Sequence, residues 1–183
     1  GRALRARGHV VHGIVTDNPD VVRWAAEQGI RVIDPAGDFG AELCRSPYAY
    51  LFSLVNSRVL SPAVIHSASR GVVNYHDGPL PRYAGLHVTS WAIVQGETTH
   101  GITWHMANEK IDAGDILVQR AVELSPNETA LSLNAKCYQA AADSFTEVLD
   151  DLELGSAPPR PQDLSQRTYF GRARRPPAAG ILD

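Results

Sequence analysis

Short apolar runs alternate with amphipathic stretches along the first third of the chain. The runs Val10 to Thr16, Ile30 to Pro35 and Tyr48 to Val55 are bounded by turn residues, which is typical of buried strands. Residues 19–29, between the first two runs, have apolar positions at helical spacing. Strands that alternate with helices predict an α/β fold, with a mostly parallel sheet and helices on both faces.

The two ends of the chain do not fit a complete unit of this kind. Residues 1–9 have the pattern of the last turns of a helix, with Gly8 as its stop signal. Because a Rossmann-like unit normally has a strand before such a helix, we expect the first strand to be absent from this chain. Residues 1–156 are predicted to form the main domain. Residues 157–183 are rich in Pro, Gly and Arg and lack periodicity, which predicts an extended strap and linker toward a further C-terminal region.

The second half of the main domain predicts two strands and a long helix. Residues 99–108 and 115–124 have strand character and flank a short polar loop. A helical pattern then continues to about Leu154. Ser125 and Glu128 have the spacing of a capping box, so we expect this helix to begin there.

Composition and charge narrow the class of protein. The chain has 183 residues, of which 44% are hydrophobic and 20% charged, as in an ordinary globular domain. A formal charge of −3 gives no general attraction to nucleic acid, so we do not expect a nucleic-acid partner. Cys44 and Cys137 lie in apolar or helical surroundings and are interpreted as buried free thiols. There is no apolar stretch of about 20 residues, so we predict a cytoplasmic protein without a membrane partner.

The candidate chemistry lies between residues 74 and 114. Asn74 and His76 end an apolar run, and the alternation of a strand places them on the same face. An amide donor beside an imidazole suits a reaction that develops negative charge on oxygen while a proton moves. Asp112 follows in the loop between the two later strands, where it could orient the imidazole or help to carry the proton. On its own, however, an Asn-x-His pattern is more often structural.

The remaining histidines do not suggest a metal site. His100 and His105 share one predicted strand, and the other histidines are scattered along the chain. None has companions at the spacing of metal ligands, so we predict no zinc or iron site.

The stretch from Asn74 to Gly114 resembles the folate-dependent formyltransferases. This family includes methionyl-tRNA formyltransferase and the formyltransferase domains of nonribosomal peptide synthetases. The matching positions are Asn74, His76, Leu80-Pro81, Gly85, Gly101 to His105 and Ile111 to Leu117. Weaker similarity extends over nearly the whole chain, so that residues 1–156 are interpreted as an N-terminally truncated formyltransferase catalytic domain.

The version of the pattern in this chain looks closest to the peptide synthetase domains. Where methionyl-tRNA formyltransferases have Ser-Leu-Leu-Pro followed by Arg-Gly, this chain has Gly78-Pro79-Leu80-Pro81 and Ala84-Gly85. The resemblance therefore implies an aminoacyl group on a carrier protein as acceptor, with adjacent synthetase domains as partners.

The resemblance also implies a donor and site residues. The donor would be 10-formyltetrahydrofolate, and the catalytic residues would be Asn74, His76 and Asp112. The run from Tyr48 to Val55 is predicted to be a central strand, and the segment after it would form one wall of the folate pocket. The implied folate-binding residues are Ser57, Arg58, Val59, Leu60, Ile111 and Asp112.

Several other functions remain open from the sequence. The acceptor could be methionyl-tRNA or a small amine, such as a sugar nucleotide amine or hydroxyornithine. A hydrolase could use the same three residues to pass the formyl group to water. The chain could also be a folate-binding module without catalytic activity.

Overall fold

The computed structural model describes residues 1–56, 58–155 and 157–174. The chain divides into two compact units, which we call unit 1 and unit 2. Unit 1 comprises Gly1–Tyr50 and Leu60–Gly71, and unit 2 comprises Leu51–Val59 and Val72–Asp183.

Unit 1 contains four helices and a short parallel ladder. The helices are α1 (Arg2–Ala6), α2 (Pro19–Glu27), α3 (Phe39–Cys44) and α4 (Pro62–Ile65). Strands β1 (Ile14–Val15) and β2 (Val32–Ile33) pair in parallel. Helix α2 begins as predicted, because the Asn18 side chain accepts hydrogen bonds from the backbone N–H groups of Asp20 and Val21. Both strands are shorter than the apolar runs that predicted them.

A four-stranded sheet has the order β3-β4-β6-β7. Its strands are β3 (Tyr48–Ser53), β4 (Ala68–His76), β6 (Thr99–Met106) and β7 (Ile116–Glu123). Strand β6 pairs antiparallel with both β4 and β7. The pairing of β6 with β7 follows from their connection, because a short loop without a crossover helix joins antiparallel neighbours. The predicted Rossmann-like α/β class is confirmed, and β6 and β7 add antiparallel pairs to it.

The run from Tyr48 to Val55, predicted as a central strand, forms β3, which lies at one end of the four-strand order and stops earlier than predicted. Strand β3 stops at Ser53, and Leu54 and Val55 are exposed rather than covered on both sides. Val55 has a φ of 52° and is 68% exposed. Because positive φ is incompatible with strand geometry and is strained for a β-branched residue, the chain turns there. The prediction of a buried strand through Val55 was therefore wrong at its end.

Helix α6 (Ala130–Leu154) packs against β6 and β7. The indole Nε1 of Trp104, on β6, donates a hydrogen bond of 3.1 Å to Ser144 Oγ of the helix. The Trp104 ring also lies 5.4 Å from the Phe145 ring and 5.4 Å from the Tyr75 ring. This aromatic cluster forms much of the core beneath the helix. No helix in the described part of the chain is both long and apolar enough to cross a membrane.

The predicted start of α6 at Ser125 was wrong. Thr129 is the N-cap, and its Oγ1 accepts a hydrogen bond of 3.1 Å from the Ser132 backbone N–H. Ser125 and Glu128 do interact, since the Ser125 N–H donates to the Glu128 carboxylate over 3.0 Å. Their contact closes the turn before the helix, because a side chain can reach back three residues in a turn as well as in a cap.

The two cysteines occupy different environments. Cys137 is fully buried on α6, and burial raises the pKa of its thiol to about 12. Cys44 is exposed at the end of α3. Both are free thiols, but the prediction that both are buried was wrong for Cys44, because α3 is short and has no fully buried residue.

The segment 157–170, which we call the strap, is held on unit 2 by backbone pairing. Arg160 and Ile116 exchange two backbone hydrogen bonds of 2.8 Å. Strand β8 (Tyr169–Phe170) pairs in parallel with β5 (Ala84–Gly85). Phe170 is 1% exposed, and its ring stacks on that of Tyr83 at 5.3 Å. The predicted linker role stays a prediction, and residues 175–183 lie outside the described residues.

Helix α5 (Val88–Val94) follows β5 in the chain. Its N-cap, His87, has a φ of 55°, which ends the preceding loop with a sharp change of direction. Trp91 of this helix packs on Phe170 at 4.9 Å. The helix therefore helps to hold the strap in place.

Candidate active site

Strands β4 and β6 present a polar face in unit 2. Their register places Asn74 opposite His105 and His76 opposite Thr103. Directly opposed residues of an antiparallel pair lie on the same face, as do residues two apart along one strand. We call this the polar face, and its members are Asn74, His76, Thr103 and His105.

His105 holds the side chain of Asn74. The ring atom Nδ1 of His105 lies 3.0 Å from the Met106 carbonyl oxygen, which can only accept, so Nδ1 carries a proton. In the neutral ring, Nε2 then has a free lone pair and accepts a hydrogen bond of 3.2 Å from Asn74 Nδ2. One amide hydrogen of Asn74 is thereby fixed by His105, and the second can donate to a ligand.

His76 is oriented by a backbone carbonyl. Its Nε2 donates to the Tyr83 carbonyl oxygen over 2.6 Å. The other ring nitrogen, Nδ1, faces two carboxylates, at 3.7 Å from Asp112 Oδ2 and 3.9 Å from Asp77 Oδ1. Gly78 makes this arrangement possible, because a Cβ there would lie 2.8 Å from both His76 Nε2 and the Tyr83 oxygen. Nδ1 is therefore the ring atom able to exchange a proton with the site.

Asp112 lies between the two histidines. Its Oδ1 is 3.7 Å from His105 Nε2, and its Oδ2 is 3.7 Å from His76 Nδ1. The same Oδ2 accepts a hydrogen bond of 2.8 Å from the Gly85 backbone N–H. The structure thus brings Asn74, His76 and Asp112 into one cluster and adds His105 to it.

The carboxyl group of Asp112 is ionised at neutral pH. Burial has the largest single influence and would raise its pKa, but His105 and His76 in their protonated forms and the Gly85 N–H favour the charged form. Their combined effect is larger, so the pKa of Asp112 lies below its ordinary value of 3.8. Asp112 also has a φ of 51°, a left-handed conformation that asparagine and aspartate tolerate better than most residues.

The proline-rich loop after His76 is fastened to the sheet. Thr103 Oγ1 donates to the Gly78 carbonyl over 2.7 Å and accepts from the Leu80 N–H over 3.1 Å. Gln119 of β7 donates to the Leu80 carbonyl over 2.6 Å. These bonds fix the shape of the loop, which presents the Tyr83 carbonyl to His76.

The profile of the formyl transferase family matches residues 51–149, which is more than half of the chain. The chain belongs to the formyl transferase family. The matched range contains the polar face and Asp112.

Solved structures show the same fold. An N-formyltransferase from Helicobacter canadensis, in complex with folinic acid and dTDP-3-aminofucose, has a TM-score of 0.73 and 22% identity, covering 83% of this chain and 54% of its own. A 4-N formyltransferase from Francisella tularensis has a TM-score of 0.70 and 24% identity, covering 84% and 61%. HypX from Aquifex aeolicus, in complex with tetrahydrofolic acid, has a TM-score of 0.68 and 21% identity, covering 86% and 28%. This chain therefore spans between half and two thirds of the two N-formyltransferases.

The segment predicted to bind folate after β3 is only partly described. The Asn56 side chain bonds to both backbone groups of Arg58. Its Oδ1 accepts from the Arg58 N–H and its Nδ2 donates to the Arg58 carbonyl, each over 2.9 Å. Val59 is exposed, Leu60 is half-buried, and Ser57 lies outside the described residues. The role of these residues in donor binding stays a prediction.

The loop side of the predicted folate pocket borders an open groove. Ile111 is exposed and lies next to Asp112 in the chain. The groove has a volume of about 500 Å³, and its lining residues are Glu109, Lys110, Ile111, Ala113, Leu164, Arg167 and Tyr169. Within the described ranges, no group of three or more His, Cys, Asp or Glu side chains could hold a metal ion.

Sequence reasoning missed His105 as a site residue. The sequence placed it on a strand, but its contact with Asn74 depends on the register of β6 against β4. The strand pattern carried one usable signal, since His105 and Thr103 are polar positions two apart within an otherwise apolar run.

Proposed function

We propose that this chain contains the catalytic site of an enzyme that transfers a formyl group from 10-formyltetrahydrofolate to an amine. Two contacts carry this proposal: His76 and His105 flank the ionised Asp112, and His105 also holds the side chain of Asn74. Membership of the formyl transferase family supports the reaction class. Neighbours of the same fold that hold folinic acid or tetrahydrofolic acid support the donor.

The first step is attack of the amine nitrogen on the formyl carbon. A C–N bond forms, the C=O π electrons move to oxygen, and a tetrahedral intermediate with an oxyanion results. The second N–H of Asn74 would donate to this oxygen, since the first is held by His105. Donors fixed before the charge develops stabilise it without having to reorganise, and one such donor contributes about 3 kcal/mol.

The second step moves a proton and breaks a bond. The attacking nitrogen loses a proton, the bond between the formyl carbon and N10 of folate breaks, and N10 gains a proton. His76 would carry this proton on Nδ1, because its Nε2 hydrogen is committed to the Tyr83 carbonyl. Asp112, at 3.7 Å, would stabilise the imidazolium that forms. Transfer of the amine proton to Asp112 through a water is the alternative route.

Two kinds of acceptor are supported, each by a different observation. The sequence pattern around Asn74 favours an aminoacyl group on a carrier protein. An amino group on a nucleotide-linked sugar is favoured by the structural neighbours, one of which was solved with dTDP-3-aminofucose. None of the three neighbours described above is a peptide synthetase domain, so the carrier-bound acceptor stays a prediction.

One set of incubations tests the reaction and separates the acceptors. The full-length protein is mixed with 10-formyltetrahydrofolate alone, with an aminoacylated carrier protein, or with a dTDP-linked amino sugar. The folate product is followed by absorbance and the acceptor by mass. We expect one added formyl group on one of the two acceptors, and its formation should be about a hundredfold slower or more in the Asn74→Ala variant.

The other outcomes identify the competing functions. Formate released without an acceptor would establish a hydrolase. Donor binding without turnover in every mixture, including one with hydroxyornithine, would contradict the transferase and support a binding module.

A further inference from the structure

Two side chains of the strap hold the backbone of the loop that presents Asp112. Gln162 Nε2 donates to the Asp112 carbonyl over 3.2 Å and to the Gly114 carbonyl over 2.6 Å. Arg167 donates to the Ile111 carbonyl over 2.7 Å. Three carbonyl groups of this four-residue stretch thus find partners 48 to 56 residues later in the chain.

The loop needs such partners because its conformation is unusual. The left-handed φ of 51° at Asp112 is uncommon for a residue other than glycine. At Gly114 the backbone packs so closely against the end of β6 that a Cβ would clash with the Met106 carbonyl oxygen. Gly114 is buried, so its backbone carbonyl requires a donor from the protein. Without Gln162, the stretch would relax toward ordinary φ values and turn the Asp112 side chain away from its present direction.

The direction of this side chain decides the geometry of the site. The Asp112 carboxylate reaches His76 and His105 at 3.7 Å on either side, so a rotation of the backbone lengthens at least one of these contacts. Its one backbone donor, the Gly85 N–H, lies in the ladder that pairs β5 with the strap. The strap therefore positions both Asp112 and the Gly85 N–H that donates to its carboxylate.

We propose that Gln162 is a positioning residue that keeps the Asp112 carboxylate between His76 and His105. Its effect on turnover rests on the proposed function, whereas its effect on the position of Asp112 does not. The rival explanation is that Gln162 only attaches the strap to the rest of unit 2. That role is already filled, because the Arg160–Ile116 bonds and the β5–β8 ladder hold the strap through its backbone.

Hydrogen exchange in the full-length protein separates the two explanations. The Gly85 N–H donates to Asp112, whereas the adjacent Leu86 N–H donates to the Phe170 carbonyl of the strap over 2.8 Å. Gly85 thus reports the position of Asp112, and Leu86 reports the attachment of the strap. The Gln162→Met variant removes the donor at similar side-chain size. Gln166→Met is the matched control, because Gln166 is exposed and bonds only locally, to Asp163 over 2.7 Å.

We expect Gln162→Met to speed exchange at Gly85 by about tenfold and to leave Leu86 unchanged, since local opening exposes only the bonds that it breaks. The Gln166→Met control should alter neither amide. Faster exchange at both Gly85 and Leu86 in Gln162→Met would mean that the strap detaches, and it would overturn the proposal. Unchanged exchange at both would overturn it as well.

A double-mutant cycle with Asp112→Asn tests the catalytic part. We expect Gln162→Met to lower kcat about tenfold with little change in KM for the donor, and to cause no further loss once Asp112 is replaced. If kcat of the double variant falls by the product of the two single effects, Gln162 does not act through Asp112. If the wild-type protein transfers no formyl group, the proposed function fails, and the exchange result still decides the position of Asp112.

Discussion

The two faces of the β4–β6 strand pair differ in chemistry but not in burial. On the polar face, His76 and His105 are 5% and 2% exposed, and on the opposite face Tyr75 and Trp104 are 8% and 3% exposed. The histidines meet carbonyls, an amide and the shared carboxylate of Asp112. Tyr75 and Trp104 meet each other's rings and those of helix α6.

This difference shows that burial alone does not mark the site. On one face the two histidines flank a carboxylate, and Asn74 keeps an amide hydrogen free for a ligand. On the other face, the indole N–H of Trp104 is satisfied by Ser144, and the rings contribute packing. Substitutions on the two faces should therefore separate stability from catalysis.

The largest effect is expected on the aromatic face. Replacing Trp104 with Ala removes a buried ring and leaves a cavity under α6, which should lower the free energy of unfolding by about 3–5 kcal/mol. Chemical denaturation measures this loss. Tyr138→Ala is a suitable control, because Tyr138 belongs to the same cluster but is 46% exposed. A loss below about 1 kcal/mol for Trp104→Ala would show that this face is not the core that its packing indicates.

The next effect is expected on the polar face. His76→Ala removes the group that would carry the proton, and turnover should fall by about a hundredfold. Steady-state kinetics measure turnover, and denaturation should show a smaller change than for Trp104→Ala. Full turnover in this variant would contradict proton transfer by His76 and favour the alternative route to Asp112 through a water.

A paired substitution at His105 tests its hold on Asn74. His105→Leu removes the acceptor for the Asn74 amide and should lower turnover by about tenfold, the scale of one hydrogen bond of about 1.4 kcal/mol. His105→Gln can place an acceptor oxygen near the position of Nε2, so it should recover part of the loss. Equal activity in the two variants would contradict a hydrogen-bonding role.

The smallest effect concerns the pH dependence of stability. The pKa of Asp112 is lowered in the folded protein. As the pH falls below the ordinary value of 3.8, the Asp112 carboxylate is therefore protonated in the unfolded chain before it is protonated in the folded protein. The stabilising contribution of Asp112 is fully present above that value and is lost as the pH falls through the folded pKa. At neutral pH we expect Asp112→Asn to reduce the free energy of unfolding by about 1 kcal/mol. Denaturation as the pH falls through the folded pKa of Asp112 should show this difference shrinking, and a difference that grows there would contradict a lowered pKa of the Asp112 carboxyl group in the folded protein.

The local parts of this site could be predicted from the sequence. Alternation along one strand fixes that Asn74 and His76 share a face, and the Asn18 cap marks the start of α2 without tertiary information. Asp112 was expected near His76 only through the family resemblance. The position of its carboxylate depends on the left-handed φ of Asp112 itself and on hydrogen-bond donors from the strap. No local sequence pattern encodes either feature.

The non-local parts could not be predicted. The pairing of Asn74 with His105 depends on the register between two strands about 30 residues apart, and a shift of one residue would turn His105 to the other face. The strap gave no strand signal, because a two-residue strand with one buried aromatic, Phe170, has no periodicity to detect. Val55 shows the opposite error, since an apolar run continued beyond the strand that it predicted.

The most direct test of the polar face measures turnover and donor affinity together in two adjacent variants. Asn74→Ala removes the proposed oxyanion donor, and Tyr75→Phe changes the neighbouring residue on the aromatic face by one hydroxyl group. We predict that Asn74→Ala lowers turnover by about a hundredfold or more while its affinity for 10-formyltetrahydrofolate is retained, and that Tyr75→Phe changes neither. An Asn74→Ala variant that loses donor affinity but keeps its turnover would contradict the assignment of this face to catalysis.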